Sequence, residues 1–294
     1  MTAVPPAPTG SVAPLPGFDP LLLSRVEDAG LNASAPPQQR WLDGWLMRFS
    51  PGKARRARCI NALAVGRLPL VQRLALAEAA CAEAGVPLLL LITPFTQPAD
   101  LPAQLRSCRW TAVNDTRVLV CADLAASLAK SLATRPPLPD GLQWIAMAPG
   151  EYAEAIGVLR GSAPAQRLAQ AQRLHWSPVP YRGHALLDRA SGAVVACGQS
   201  AREADLVGLY DVHVRESYRG VGLASWVCEQ LLRSALEEGA RSAYLQVEAD
   251  NPAAWQVYRR LGFVDAYGYH YLQPPGGSVV IGQIGAIGSV GVSG

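Results

Sequence analysis

Two short runs carry the residues whose types and spacing could do chemistry. The first is Arg219-Gly220-Val221-Gly222-Leu223-Ala224, which follows an apolar run at 206–214 and opens a long helical pattern. A strand leading through a glycine turn into a helix makes an anion site. Glycine lets the backbone bend and approach a ligand, and the first helical turn presents unpaired N–H groups at the positive end of the dipole. Such a turn suits a phosphate group, with Arg219 adding positive charge. A dinucleotide fingerprint would need a third glycine at position 225, where this chain has Ser225. The second run is Asn251-Pro252-Ala253-Ala254, followed by Tyr258 and Gly262-Phe263. Asn251 suits a helix N-cap and Pro252 the first helical position. Tyr258 comes about two helical turns after Asn251, so both lie on one helix face.

Arg219-x-x-Gly222-x-Ala224 and Asn251-x-x-Ala254-x-x-x-Tyr258-x-x-x-Gly262-Phe263 stand in order with a strand between them. Together they resemble the two signature segments of the GCN5-related N-acetyltransferases, the GNAT family. The resemblance covers 210–263 and implies an α/β fold with a mixed sheet, a GNAT acyl-CoA N-acyltransferase domain in the C-terminal half. It implies acetyl-CoA as cosubstrate and no metal. The diphosphate would rest on backbone from Arg219 through Gly220, Val221, Gly222 and Leu223 to Ala224. The pantetheine arm would lie along the backbone of Val212, His213 and Val214, where two neighbouring strands part, and Asn251 would touch the cofactor. Tyr258 would protonate the departing thiolate as a general acid, and a backbone N–H of the parted strand would serve the oxyanion.

Many relatives place a carboxylate five residues ahead of Asn251, where this chain has Gln246. Glu248, Asp211, His213 or a chain of waters are left as candidates for the base. The implied reaction is direct attack by a primary amine in a ternary complex. No serine or cysteine sits in a nucleophile elbow, which agrees with that. The acceptor, a small amine or a peptide amine, is not legible, and oligomeric state is open. A non-catalytic acyl-CoA-binding module is the alternative.

Composition sets the bounds. The chain has 294 residues, half of them apolar, and a net charge of +3. That balance is too mild to argue for nucleic acid. Arg48, Lys53, Arg55, Arg56 and Arg58 form a basic cluster, most simply a solvated face and otherwise an attractor for an acidic substrate or a CoA phosphate. Six cysteines lie far apart with no C-x-x-C pair or zinc spacing, as expected of buried thiols in the reducing cytoplasm. The first residues do not read as a signal peptide, and the apolar stretch at 85–92 is too short to cross a bilayer.

Positioning these groups requires two domains. Residues 1–17, rich in Pro and Ala, are expected to be disordered. Asp43-Gly44-Trp45-Leu46-x-Arg48, with Arg55-Arg56-Ala57-x-Cys59, is similar to the front half of certain two-part acetyltransferases. That implies a degenerate GNAT-like domain at 18–135, before the catalytic domain at 142–273. The Pro-rich stretch 136–141 reads as the linker and 274–294 as a Gly-rich tail. Pattern and turn chemistry predict helices over 18–29, 68–84, 101–107, 151–159, 163–174, 222–238 and 252–261. They predict strands over 41–46, 57–63, 86–92, 118–122, 181–188, 194–200, 206–214, 244–248 and 266–272.

Overall fold

The computed structural model describes residues 11–131, 138 and 140–276. The front half begins with helix α1 (Pro20–Ala33), capped by the Asp19 side chain, which accepts from Leu21 N. Then come strands β1 (Gln38–Leu42), β2 (Trp45–Phe49) and β3 (Ile60–Ala62), helix α2 (Leu70–Glu83), strand β4 (Leu90–Ile92), helix α3 (Leu101–Ser107), strand β5 (Thr111–Cys121) and helix α4 (Leu124–Ser131). The second half runs β6 (Leu142–Met147), α5 (Pro149–Leu159), α6 (Pro164–His175), β7 (Tyr181–Asp188), β8 (Val194–Glu203), β9 (Leu206–Val214), α7 (Leu223–Glu237), β10 (Ser242–Glu248), α8 (Pro252–Arg260) and β11 (Val264–Gln273).

All these strands join one sheet in the order β1-β2-β3-β4-β11-β5-β10-β9-β8-β7-β6. The two halves interleave. β5 lies antiparallel to both β10 and β11, and β11 sits between β4 and β5. Side-chain alternation along the strands sorts the helices into two layers. Leu119, Leu209 and Leu245 join a core with α4, α7 and α8, and Leu90, Ile92 and Leu272 continue that face under α2 and α3. The opposite face carries α1, which packs on Tyr244, Tyr267, Tyr269 and Tyr271, and α5 with α6, which pack on Ala185 and Cys197. α7 buries an apolar stripe of Leu223, Val227, Leu231 and Ala235. Glu229 is buried too and pairs with Arg233.

Several expectations need correction. The strand expected over 41–46 is the hairpin β1–β2. Asp43 and Gly44 both take positive φ, 43° and 84°, which makes a primed two-residue turn in the middle of the apolar run. The strand over 86–92 shrinks to three residues, and 57–63 likewise opens with a 3-10 turn at Arg55–Ala57. β5 is more than twice the length predicted, because two partners cover it. α4 and β6 were not predicted at all. Residues 11–17, expected to be disordered, lie against β11: Leu15 N donates to Ala266 O, and Arg117 Nη1 donates to Ser11 O. The expectations for 1–10, for half of the linker and for 277–294 fall outside the described residues.

Candidate active site

β9 and β10 run parallel and hydrogen-bonded only from Leu206–Ser242 to Leu209–Leu245. Both strands continue beyond, β9 to Val214 and β10 to Glu248, without pairing to each other. The cause is local. The register of β9 on β8 slips between Gln199–Tyr210 and Cys197–His213, and Asp211 takes φ 52° at the slip. Such a bulge bends its strand and re-aims it. The resulting gap lies beside Val212, His213 and Val214, the residues implied for the pantetheine arm.

Beyond β9 the turn is built as an open cradle. Gly220 and Gly222 take φ 83° and 87°, and Gly222 is the N-cap of α7, with no side-chain cap and no acidic residue in the first turn. The leading N–H groups of α7 therefore meet no carboxylate of their own. A Cβ placed on Gly220 would meet nothing within 4 Å, and Val221 is exposed. Backbone, dipole and space all fit a diphosphate. Arg219 is exposed, and its Nε donates to Val214 O at 3.2 Å, so the guanidinium folds back along the strand end.

α8 presents the second run. Asn251 caps it, Oδ1 accepting from Ala254 N at 3.1 Å. Tyr258 packs edge-on to Phe263, ring centroids 6.1 Å apart, and joins the core cluster that also holds Val212 and Val214. Burial, with the Cys228 thiol nearby, raises its phenol well above the usual value. Among the described residues its hydroxyl has no hydrogen-bond partner, so it keeps a proton with nothing local to receive it.

The groups proposed for the base separate clearly. Both Asp211 oxygens are engaged. Oδ1 accepts from Arg160 Nη1 at 2.7 Å, and Oδ2 from Gln170 and Gln199 at 3.0 and 2.8 Å. Burial would raise this carboxyl, but Arg160 and Arg173 outweigh it and hold it below the usual carboxylate range. Asp211 is therefore a structural anchor. His213 is half-buried, and burial, with Arg160 and Arg219, holds its imidazole below the ordinary value, hence neutral at pH 7. Glu248 is exposed at the end of β10. Gln246 accepts from the Tyr269 hydroxyl at 3.1 Å.

On the α5–α6 face, a cavity of about 250 Å³ reaches from Asp211 to the turn at 50–54 of the front half. Sequence reasoning named Asp211 and Lys53 but missed the rest of its lining. Arg160, Gln170 and Arg173 come from or just after helices with no motif, and only folding sets them opposite Lys53. The basic cluster needs correction in part: Lys53 and Arg55 are exposed, but Arg48 and Arg56 are buried. Arg56 is buried against Glu27, Nη2 to Oε1 2.6 Å, with its guanidinium carbon 4.9 Å from the Tyr269 ring centroid. Arg48 is buried too, donating to Leu31 O and Ser34 Oγ, and burial lowers it to about 10.

Solved structures with this architecture include a GCN5-related N-acetyltransferase from Kribbella flavida. Its TM-score is 0.62 at 20% identity, covering 86% of this chain and 96% of that one. A tandem GNAT protein from the clavulanic acid biosynthesis pathway gives 0.54 at 18% identity, over 72% of this chain and 74% of its own. These establish a shared GNAT fold. The family described as "Probable histone acetyltransferase Rv0428c C-terminal" matches residues 23–272, and the chain belongs to this family of GNAT acetyltransferases. A mycothiol acetyltransferase from Saccharomonospora viridis is 30% identical over 183 residues, 56% of this chain and 58% of the relative. The chain spans about half, or less, of the length of the curated relatives it matches.

Proposed function

We propose that this protein transfers an acetyl group from acetyl-CoA to a primary amine. The observation that carries the reading is the parting of β9 and β10 beyond Leu209–Leu245, next to the uncapped, glycine-led start of α7. Acetyl-CoA supplies an activated acetyl group. The amides from Gly220 to Ala224 receive its diphosphate, and the backbone of Val212 to Val214 offers a strand edge to its pantetheine arm. Asn251 lies alongside. Tyr258 sits on the α7–α8 face and keeps its proton at neutral pH, so it serves as the acid that protonates the leaving sulfur. The acceptor enters from the opposite face, through the cavity that ends at Asp211. With Asp211 saturated, neutral His213 or water takes the amine's proton.

The front half, 18–135, acts as a degenerate GNAT-like partner. It contributes the turn at 50–54 to the acceptor side and β5 to the shared sheet. The described cysteines are all free, which suits a reducing compartment, and we place the activity in the cytoplasm. Among the described residues no helix is long and apolar enough to cross a membrane.

Calorimetry with acetyl-CoA and CoA, and thiol release over an amine panel, test this reading. Tyr258→Phe should bind acetyl-CoA as tightly as wild type and release thiol about 100-fold more slowly. The absence of a carboxylate at Gln246 favours a second reading, an acyl-CoA-binding module without turnover. Tight binding with no thiol release on any amine would establish that one instead. No heat with either nucleotide would remove both.

A further inference from the structure

Resting on the acceptor assignment above, we propose that the acceptor carries an acidic group, a carboxylate or a phosphate, seated between Lys53 and Arg173. The cavity is lined by three cations, Lys53, Arg160 and Arg173, and one anion, Asp211. Asp211 is not free to balance them all. Its Oδ1 is bonded to Arg160, and its Oδ2 takes two amide donors, Gln170 and Gln199. One pair is thus closed, and two positive charges are left over.

Arg173 is the more telling of the two. It is only 8% exposed. Its Nη1 donates to Ala33 O at 3.1 Å and to the Tyr181 hydroxyl at 3.4 Å, and its guanidinium carbon lies 5.4 Å from the Tyr181 ring centroid. These contacts aim the group and leave it without a carboxylate in ion-pair range among the described residues. The charge of Asp211 reaches Arg173 as well as Arg160, so one carboxylate serves two guanidiniums; a ligand anion would give the second a direct partner. Lys53 approaches from the other wall. Ser50 Oγ accepts from Gly52 N at 3.1 Å, which fixes the turn, and a Cβ on Gly52 would lie 3.9 Å from Ala169 of α6. Close packing of the turn on the helix holds the exposed lysine at the rim. Lys53 too has no ion-pair partner among the described residues. Ser162 and Gln166 add neutral donors and acceptors to the same cavity. An acceptor with its acid at the Lys53–Arg173 end would extend its amine past Asp211 toward the gap between β9 and β10.

The test reads binding and so does not depend on turnover. Calorimetry compares matched probes at constant ionic strength: an α-amino acid panel against the corresponding amides, and phosphoethanolamine against ethanolamine. At least one acid should bind about tenfold or more tighter than its neutral match, and the arm that responds tells carboxylate from phosphate. Lys53→Gln, at an exposed loop position, should melt at the wild-type temperature and lose most of that preference. Equal affinity within every pair, no binding of any probe, or a preference untouched in Lys53→Gln would each overturn the proposal. Failure of the acetyltransferase reading itself would appear separately, as absent heat with acetyl-CoA or absent thiol release.

Discussion

Asp211 looked like a base candidate in the sequence and acts as a strut in the structure. Its partners Arg160, Gln170 and Gln199 come from the end of α5, from α6 and from β8, and no local pattern announces that they converge. The turn glycines and the Asn251 cap were legible because each depends on its immediate neighbours in the chain. Asp211→Asn should cost about 2 kcal/mol in a denaturant titration, since it strands Arg160 beside a neutral amide. The pH dependence has a definite sign. The folded carboxyl lies below its ordinary value, so its contribution is fully present above about pH 4. It is lost as pH falls through the lowered folded value. The Asn variant should therefore lose less stability than wild type on acidification over that range. An identical acid limb in both proteins would mean that the Arg160 pair does not hold the bulge.

At the scale of elements, α7 and its turn would carry the donor side of the proposed reaction. Gly220→Ala places a Cβ in open space but forces a side chain onto φ 83°. The expected result is a loss of about 1–2 kcal/mol in stability, with acetyl-CoA affinity reduced at least about tenfold because the Cβ stands where the proposed diphosphate would approach. Unchanged calorimetric affinity in a folded Gly220→Ala protein would show that the ligand lies elsewhere. β7, β9 and α3 were read to the residue, because alternation or helical spacing ended at clear turn chemistry. α4 was lost against the prolines that follow it. β5 was cut short because its first half, Thr111 to Thr116, mixes polar residues into a strand whose two neighbours are remote in sequence. Pattern reads faces well and partners poorly.

On the scale of the whole molecule, the interleaved sheet decides how the protein can be divided. A chain cut at 136–141 would leave β11 without β4 and β5, and β10 without its antiparallel neighbour. Such bare edges pair with whatever they meet. Residues 142–294 expressed alone should aggregate or remain unfolded, and mixing or co-expression with 1–135 should restore soluble protein. The intact chain should unfold in one transition by both tryptophan fluorescence and circular dichroism. An isolated second half that folds and binds acetyl-CoA would refute this. The same interleaving also governs synthesis on the ribosome. β11 is the last described strand to emerge, yet its slot lies in the middle of the sheet. Until translation reaches it, β4 and β5 wait with open edges, so the nascent chain is exposed to mispairing from the completion of β5 to the arrival of β11.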